Sequence, residues 1–411
     1  MSEASVHESL LSRQPILNSQ EDLVGYELTL QPVQGEEDNA RAATLVCAAY
    51  AELGVRSALG QATAFLPVDL DFLHGDAIEA LPPESVVLEL CFDGVPDEQT
   101  LERCRTLRER RYSLALNDYV GLDARSAPLL VMLDIIRIDI RSHDEKALQE
   151  LASPLVRLPL QLLAHGVDSR EVMERCKAIG FRLFQGHYFA RPEIVSGRRL
   201  SASQTALIQL INLTSRDAET KVIEESIKRE PALAVNLLSI VNSVGYGAAR
   251  SISSLRNAIT MLGRRQLQRW LQLLLMTPGG RNPDASRSPL LQVAALRGRM
   301  MEMLIEHSHP KDRVLADQGF ITGIMSMMPV ALGMPMNEIF EQISLETEVM
   351  EALNSHSGDL GRMLALLERF DAEDAPGCDR LLGELSCDGL DLTLLNVCLM
   401  ESLRWINGGD E

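Results

Sequence analysis

Two hydrophobic patterns divide the chain. Short apolar runs alternate with helical segments in the first half, whereas helical periodicity alone fills the second. The runs predict strands over Val24–Leu30, Thr63–Asp69, Ser85–Phe92, Tyr112–Asn117, Asp134–Ile140, Leu158–Ala164 and Phe181–Phe184, with an extra strand near Pro15–Asn18. Helices are predicted over Asn39–Leu53, Asp97–Arg111, His143–Leu151 and Ser169–Gly180. Such alternation favours a parallel sheet covered by helices, here a compact β/α barrel.

The pattern changes after Ser196 and Gly197, where a polar run, Arg198–Ser203, separates the halves. We therefore predict a barrel domain over residues 1–197 and an all-helical domain over residues 198–411. Glycine and proline residues interrupt the second domain between its helices. The predicted helices are Thr205–Leu213, Asp217–Lys228, Ala232–Val241, Ser254–Leu262, Arg265–Leu275, Pro289–His307, Asp317–Met327, Asn337–Gln342, Glu346–Leu353 and Leu360–Phe370.

Composition and charge narrow the class of protein. The 411 residues are 46% hydrophobic and 24% charged, as in an ordinary globular protein. A net charge of −19 disfavours non-specific binding to DNA or to an anionic membrane. No apolar run approaches the roughly 18 residues that span a bilayer, and no apolar leader is visible. Seven cysteines without a CxxC pair indicate reduced thiols in a cytoplasmic protein.

Polar side chains stand near the ends of the predicted strands, where β/α barrels carry their functional residues. Carboxylates in such a ring favour a hard divalent cation. An internal ion pair between Glu89 and Arg137, in a barrel filled by its own side chains, explains the same pattern without any ligand. The polar positions are Glu27, Asp69, Glu89, Asn117, Asp118, Arg137, Asp139, His165, Asp168 and Gln185.

The first half resembles the EAL domain, the cyclic di-GMP phosphodiesterase domain, and especially its shortened form joined to HDOD domains. The opening RQPILNSQEDLVGYELTL carries the first part of the resemblance. Six further segments follow in the order of the family motifs and extend the resemblance from residue 13 to residue 192. They are FLPVDLD, VVLELCF, LALNDYVG, IIRID, LLAHGVDS and FQGHYFARP.

This resemblance implies hydrolysis of one phosphodiester of cyclic di-GMP, assisted by two Mg²⁺ or Mn²⁺ ions that clamp the attacking and leaving oxygens. It assigns the metal positions to Glu27, Asp69, Glu89, Asn117 and Asp118. The remaining catalytic positions fall on Arg137, His165, Asp168 and Gln185, and a phosphate-contacting arginine is replaced by Gln31.

Departures from the family pattern predict that catalysis is lost. Asp69 stands in place of an Asn, Asn117 in place of a metal-binding Asp, Arg137 in place of a Lys, and His165 in place of a Glu. Arginine and lysine are not interchangeable at such a site. We therefore expect no catalytic residue and no cofactor, with Mg²⁺ or Mn²⁺ needed only for residual activity. Glu27, Gln31, Asp69 and Gln185 are expected to line a vestigial nucleotide pocket.

The second half resembles the HDOD domain. The matching segment is IKREPALAVNLLSIVNSVGYGAARSISSLRNAITMLGRRQLQRWLQLLLM. HDOD domains resemble HD phosphohydrolases in fold but lack their metal-binding His and Asp residues. That holds here, since the only histidines of this half are His307, His309 and His356, and none precedes an Asp.

An arginine-rich stretch stands out in this acidic chain. Residues 250–299 contain nine arginines and one acid, Asp284. Arg264, Arg265 and Arg269 are expected to share a helix face, either as a solvated or interdomain surface or as a site for an acidic partner. Trp270 is the one aromatic residue nearby, so stacking on single-stranded nucleic acid is not indicated.

The preferred hypothesis is a non-catalytic adaptor in bacterial signalling that acts through protein partners. The sequence leaves open whether its barrel also senses a nucleotide such as cyclic di-GMP. EAL–HDOD proteins are associated with motility, surface behaviour and stress signalling. A weak metal-dependent cyclic di-GMP phosphodiesterase is the first alternative. A binder of nucleic acid or of an acidic partner through residues 250–299 is the second, although nucleic acid is disfavoured by charge. The sequence leaves the oligomeric state open.

Overall fold

The computed structural model of the chain describes residues 9–33, 58–91, 95–121, 127–191, 200–242, 252, 254–277, 288–385 and 389–407. The predicted helix Asn39–Leu53 lies outside these residues. So do Arg250, Arg281 and Arg287 of the arginine-rich stretch.

Eight strands close into a barrel, which confirms the predicted fold. β1 is antiparallel to β2 and to β8, and the remaining neighbours are parallel. The extra strand expected near Pro15–Asn18 is longer than the sequence indicated. The strands are β1 (Ser9–Asn18), β2 (Leu23–Pro32), β3 (Thr63–Val68), β4 (Val86–Leu90), β5 (Ser113–Leu116), β6 (Ile135–Asp139), β7 (Gln161–His165) and β8 (Leu183–Gln185).

One apolar layer fills the inside of the barrel. Seven of the eight strands, all but β2, contribute one buried side chain each to it, as in other packed barrel interiors. Because side chains alternate along a strand, the residue two positions later lies on the same face, nearer the carboxyl end. On β4, β6 and β8 the residues at this spacing are Glu89, Arg137 and Gln185, which lie in the next layer. The apolar layer consists of Ile16, Phe65, Val87, Ala115, Ile135, Leu163 and Leu183.

Aspartate side chains cap the amino-terminal ends of helices that follow the strands. Asp97 accepts a hydrogen bond from the Thr100 amide at 2.7 Å, and Asp144 accepts one from the Ala147 amide at 2.8 Å. Such caps satisfy amides that have no partner inside the helix. The helices of this part are α1 (Leu70–His74), α2 (Glu98–Glu109), α3 (Ala127–Leu130), α4 (Glu145–Ala152) and α5 (Arg170–Ile179).

From residue 200 onward every described element is helical, as predicted. Leu255–Leu275 is interrupted at Gly263, whose φ of 76° and ψ of 159° are not helical, and this break separates the two helices that the sequence indicated. The helices are α6 (Ala202–Ser215), α7 (Thr220–Lys228), α8 (Pro231–Val241), α9 (Leu255–Leu275), α10 (Pro289–Ser308), α11 (Arg313–Met325), α12 (Met328–Leu332), α13 (Met336–Gln342), α14 (Thr347–Ser355), α15 (Gly358–Asp371), α16 (Ala375–Leu385) and α17 (Leu392–Ile406).

The described residues form two compact units, of which one is discontinuous in sequence. Residues up to 191 group with those from 368 onward, and residues between these limits form the other unit. The predicted helical domain extended to residue 411, but α16 packs on β2 and α17 packs on β1. The difference arises because these helices, which the sequence pattern did not single out, bury their apolar faces on the barrel.

One helical stretch, Arg313–Leu332, has the length and composition of a membrane span, which the sequence reading did not foresee. Half of its most apolar window is buried inside the structure. It includes α11, which packs closely on α10. A core helix of a soluble protein passes the same test.

We expect Gly186→Ala to destabilise the barrel, because a Cβ at Gly186 would lie 2.1 Å from the Val167 carbonyl oxygen and the backbone there has a φ of 155°. The free energy of unfolding in urea should fall by about 2–4 kcal/mol. Gly383→Ala is the control, since a Cβ at Gly383 meets no atom within 4 Å and that residue lies in α16. It should raise stability by roughly 0.5–1 kcal/mol. Equal effects of the two substitutions would contradict the close approach.

Candidate functional site

A buried polar layer lies directly above the apolar layer of the barrel. Glu27, Glu89, Arg137 and Gln185 come from β2, β4, β6 and β8, and all four are buried. Glu89, Arg137 and Gln185 each follow a residue of the apolar layer by two positions. Alternate strands thus bring to one level the side chains that the sequence had placed only at strand ends.

Arg137 joins this layer by contacting two carboxylates. Its Nη1 donates to Glu27 Oε1, and the same nitrogen lies 3.6 Å from Glu89 Oε2. The Arg137 Nη2 atom lies 3.5 Å from His165 Nε2. The internal ion pair between Glu89 and Arg137 that the sequence left open is therefore present, with Glu27 as the nearer partner.

Burial and charge set the protonation of this cluster. Burial raises the pKa of Glu89 well above its ordinary value, and the nearby Glu27 charge raises it further. Burial lowers the pKa of Arg137, but the charges of Glu27 and Glu89 more than offset this and leave it above its ordinary value. Burial, followed by the Arg137 charge, lowers the pKa of His165. The guanidinium thus stays charged, whereas the imidazole is neutral at neutral pH.

Gln185 ties the cluster to β1. Its amide nitrogen donates to Glu27 Oε2 and to Gln14 Oε1, the latter at 2.7 Å. Sequence reasoning did not single out Gln14 as a site residue, although it stands in the RQP opening that carried the family resemblance. Its role depends on the pairing of Ile16 in β1 with Gln185 in β8.

Two residues after β5 reach the edge of the cluster. The Asn117 amide nitrogen donates to Cys91 Sγ at 3.3 Å. Asp118 adopts a left-handed conformation with a φ of 46°, and its charge influences the pKa of both Glu89 and Arg137. These two positions therefore lie near the cluster, as the resemblance implies.

Several buried polar atoms of this region have no hydrogen-bond partner. They are the two carboxylate oxygens of Glu89, Asn117 Oδ1, His165 Nδ1 and Gln185 Oε1. Buried polar atoms are rarely left unsatisfied in folded proteins. Their concentration at the carboxyl ends of neighbouring strands is typical of a place where a polar ligand or water completes the hydrogen bonding.

Other predicted site residues have different contacts. Asp69 accepts a hydrogen bond from the Phe72 amide at 2.8 Å and caps α1. Asp168 is half exposed and lies 3.5 Å from Arg191. Gln31 is opposite Leu10 near the end of β2, on the same strand face as Glu27 but farther out. No contact joins Asp69, Asp168 or Gln31 to the Arg137 cluster among the described residues.

The residues as arranged do not fit the two divalent ions that the resemblance implies. The Arg137 guanidinium contacts the carboxylates that would hold them, so an ion bound by Glu27 and Glu89 requires Arg137 to move. Asn117 contributes a neutral amide where a charged oxygen is expected. Within the described ranges, no group of three or more His, Cys, Asp or Glu side chains is placed to hold a metal ion.

A residue from the far end of the chain also reaches this region. Burial raises the pKa of Glu373, whereas the side chains of Ser12 and Gln14 lower it. The charge of Glu27 raises it further, and that of His187 lowers it. No local pattern could reveal this position, because Glu373 lies in a helical region of the sequence and meets β1 only in the folded chain.

The arginines singled out on α9 do not form one exposed face. Arg269 is buried, bonds to Glu302 and Asp317, and stacks over the Phe320 ring at 4.0 Å. Spacing alone predicted a shared surface, but the side chain turns inward because two acids and an aromatic ring are available there. Arg265 pairs with Asp317 at 2.8 Å, and Arg264 lies 3.5 Å from Asp217.

Comparison with protein families finds two matching domains. The EAL domain model matches residues 72–192, and the HDOD domain model matches residues 200–327. The EAL match begins after the RQP opening and β2. Both domains occur in the order that the sequence motifs indicated.

Two relatives align along almost the entire chain. One is the protein YuxH of Bacillus subtilis, 26% identical over 405 residues that cover 96% of this chain and 97% of the relative. The other is the cyclic di-GMP phosphodiesterase CdgJ of Vibrio cholerae, 28% identical over 420 aligned residues that cover 98% of this chain and 93% of the relative.

Solved EAL structures are also similar to part of the chain. An EAL domain protein from Listeria monocytogenes is 16% identical with a TM-score of 0.35, and the match covers 46% of this chain and 93% of that one. BlrP1 of Klebsiella pneumoniae, solved as a manganese and cyclic di-GMP complex, is 22% identical with a TM-score of 0.36, covering 44% of this chain and 54% of that one.

We expect Arg137→Met to destabilise the protein strongly, because it leaves Glu27 and Glu89 buried together without a counter-charge. The free energy of unfolding in urea at pH 7 should fall by about 3–5 kcal/mol. Arg110→Met is the matched control, since Arg110 pairs with Glu79 where both side chains are about half exposed. That substitution should change stability by less than about 1 kcal/mol. A similar small loss for both variants would show that the buried pair contributes little.

Proposed function

The chain carries an EAL domain followed by an HDOD domain, and from this we propose that it is a cytoplasmic signal-relay protein of the cyclic di-GMP pathway. Its barrel binds the dinucleotide without hydrolysing it. Its helical domain passes the signal to protein partners by contact.

The single observation that carries this proposal is the position of Arg137. A fixed monovalent cation on a side chain pairs with Glu27 and lies near Glu89, whose pKa burial raises well above its ordinary value. Unlike two metal ions, it offers no open coordination position to a water molecule or to a phosphate oxygen. The carboxylates are thereby used for stability, and no residue of the cluster is left to activate an attacking water through a metal.

Binding is supported by the unsatisfied polar atoms around the same cluster. Asn117 Oδ1 and Gln185 Oε1 can accept hydrogen bonds, and His165 Nδ1 can act in either sense according to its tautomer. A guanine base presents both donors and acceptors, so its edge suits such a mixed set. Gln31, farther along β2, remains the proposed contact to a phosphate because its amide can donate to an anionic oxygen.

The helical domain supports a relay by its construction. Arg269 and Arg265 are used in ion pairs with Glu302 and Asp317 inside the unit, which rigidifies α9, α10 and α11 against one another. Its histidines are not arranged as in HD phosphohydrolases. A binding role for this domain therefore agrees better with its chemistry than a hydrolytic one.

We expect cyclic di-GMP to bind with a Kd that changes by less than about twofold between about 5 mM Mn²⁺ and excess chelator, because no metal ion takes part in binding. Isothermal titration would measure the Kd, and chromatography of the same samples after long incubation should show no linear dinucleotide. Gln31→Ala should weaken binding about tenfold through loss of a hydrogen bond to a charged group. Gln20→Ala, an exposed glutamine in the β1–β2 turn, is the control and should leave the Kd unchanged. Absence of binding in all samples would remove the proposal.

A metal-dependent cyclic di-GMP phosphodiesterase is the second candidate, favoured by the name of the Vibrio cholerae relative that aligns with 98% of this chain. On this hypothesis Arg137 swings away when Mn²⁺ and substrate enter. The purified protein should then release linear pGpG with Mn²⁺ but not with chelator, and Glu89→Gln should abolish that release. Product from the wild-type chain that Glu89→Gln eliminates would replace the relay proposal with this one.

A further inference from the structure

The β1–β2 hairpin differs from the rest of the barrel in having no helix of its own. Strands β3 to β7 are each followed along the chain by a helix, α1 to α5, whereas a short turn joins β1 directly to β2. The outer face of the hairpin is nevertheless covered, because Tyr26 and Leu28, on the opposite face of β2 from Glu27, are buried. Helices from the carboxyl-terminal part of the chain supply this cover, since α16 packs on β2 and α17 packs on β1.

The same hairpin carries two side chains that meet in the polar layer. Gln14 on β1 is the register partner of Glu27 on β2. Both accept a hydrogen bond from the Gln185 amide nitrogen on β8, at 2.7 Å in the case of Gln14. Because one nitrogen makes both bonds, a shift of β1 relative to β8 breaks the bond to Gln14 and frees Gln185 to turn. The order of the layer therefore depends on where the hairpin lies.

Asn396 of α17 holds β1 on the side away from β2. Among the described strands, β8 pairs with the carboxyl-terminal end of β1 alone, so Ser9–Gln14 projects past β8 without a neighbouring strand on that side. There the Leu11 amide donates to Asn396 Oδ1 at 2.8 Å, and Asn396 Nδ2 donates to the Ser9 carbonyl at 3.0 Å. Asn396 is buried, so both bonds are shielded from competing water.

The other contacts of α17 do not involve this part of the hairpin. Leu395 and Leu399 are fully buried and contribute apolar packing. At the far end of the helix, Asn407 Nδ2 donates to the Ala58 carbonyl at 2.7 Å, shortly before β3 begins. The two asparagines thus bind the same helix to different parts of the barrel, and a substitution of each separates the docking of α17 from the placement of β1.

We propose that Asn396 is a positioning residue for the polar layer, because by holding β1 it keeps Gln14 opposite Gln185. Leu11 and Gln14 are three residues apart on one strand, about 10 Å at the usual rise per residue. Close-packed interiors are stiff, so a displacement at Leu11 reaches Gln14 instead of being absorbed between them. The proposal concerns the layer itself, and only its effect on cyclic di-GMP binding rests on the proposed function.

We expect Asn396→Ala to accelerate solvent exchange of the two Gln185 side-chain amide protons about tenfold, roughly the net contribution of one hydrogen bond. Nuclear magnetic resonance of the full chain with ¹⁵N-labelled glutamine would measure this rate. The backbone amides of Arg137 and Ile138 should exchange as in the wild type, because the barrel remains folded. Asn407→Ala is the matched control and should leave Gln185 unchanged. Equal rates for Gln185 in both variants would overturn the proposal.

A double variant tests whether the effect passes through Gln14. Gln14→Ala removes the bond to Gln185 directly and should itself accelerate exchange. If Asn396 acts through Gln14, adding Asn396→Ala to that variant should change the rate by less than about twofold, as expected for two substitutions that remove one shared interaction. A further tenfold acceleration in the double variant would show a general loosening of the barrel and would contradict a positioning role.

The wild-type chain provides a test that needs no substitution. In native-state exchange at rising urea concentration, contiguous structural units open together before the whole protein unfolds. The Leu11 amide, the Gln185 side-chain protons and the amides of α17 should share one opening transition, at lower urea than the amides of β6. Gln185 protons that become exchangeable only together with β6 would contradict the dependence on α17, even if Asn396→Ala fails to fold.

Titration with cyclic di-GMP separates this proposal from the proposed function. Asn396→Ala should weaken binding about fivefold, at the lower end of the usual coupling between distant positions, whereas Asn407→Ala should leave the Kd unchanged. If the wild type binds and the two variants bind equally well, the effect of Asn396 on the ligand is wrong while the proposed function stands. If the wild type does not bind, the proposed function fails, and the exchange rates of Gln185 alone decide the positioning role.

Discussion

A buried guanidinium between two carboxylates is the interaction on which the barrel depends. Glu27 and Glu89 face the same interior layer, and two buried carboxylates at such a place repel each other unless one is protonated or a cation lies between them. Arg137 is such a cation, and burial together with the charge of Glu27 also raises the pKa of Glu89 well above its ordinary value. Because guanidinium is planar and stays charged at all ordinary pH values, it suits a buried, multiply bonded position better than lysine would. The carboxyl ends of these strands are thus occupied by an internal ion-pair cluster.

The consequences of that neutralisation extend outward. Gln185 completes the hydrogen bonding of Glu27 and connects it to Gln14 on β1. β1 in turn is covered by α17 through Asn396. The polar layer, the projecting hairpin and the carboxyl-terminal helices therefore form one continuous structure.

The helical unit uses a comparable arrangement on a smaller scale. Arg269 is buried between Glu302, Asp317 and the ring of Phe320, so that three helices share one cation. A buried arginine of this kind specifies how α9, α10 and α11 pack, and removing either kind of partner leaves an uncompensated charge. Of the three arginines singled out in this positive stretch, Arg269 is part of the interior, whereas Arg264 and Arg265 pair with acids at the surface.

The sequence by itself determined the strands, most of the helices and their order. Alternating apolar runs predicted the strands, and the ordered motifs indicated both domains. The change of periodicity near residue 197 marked the boundary between a strand-containing region of the sequence and a helical one. Hydrophobic periodicity depends only on residues that are close together in the sequence, so it can be read from one sequence without knowledge of the fold. The motifs also indicated Glu27, Glu89, Arg137 and Gln185 as site positions.

Only the tertiary structure decided which of these side chains meet and what they neutralise. Spacing placed Arg269 on a surface with Arg264 and Arg265, whereas packing buried it against acids from other helices. Leu11 and Asn396, 385 residues apart, pair because α17 buries its apolar face on β1. Contacts across such separations depend on how whole elements pack, and a pattern of neighbouring residues contains no record of that packing.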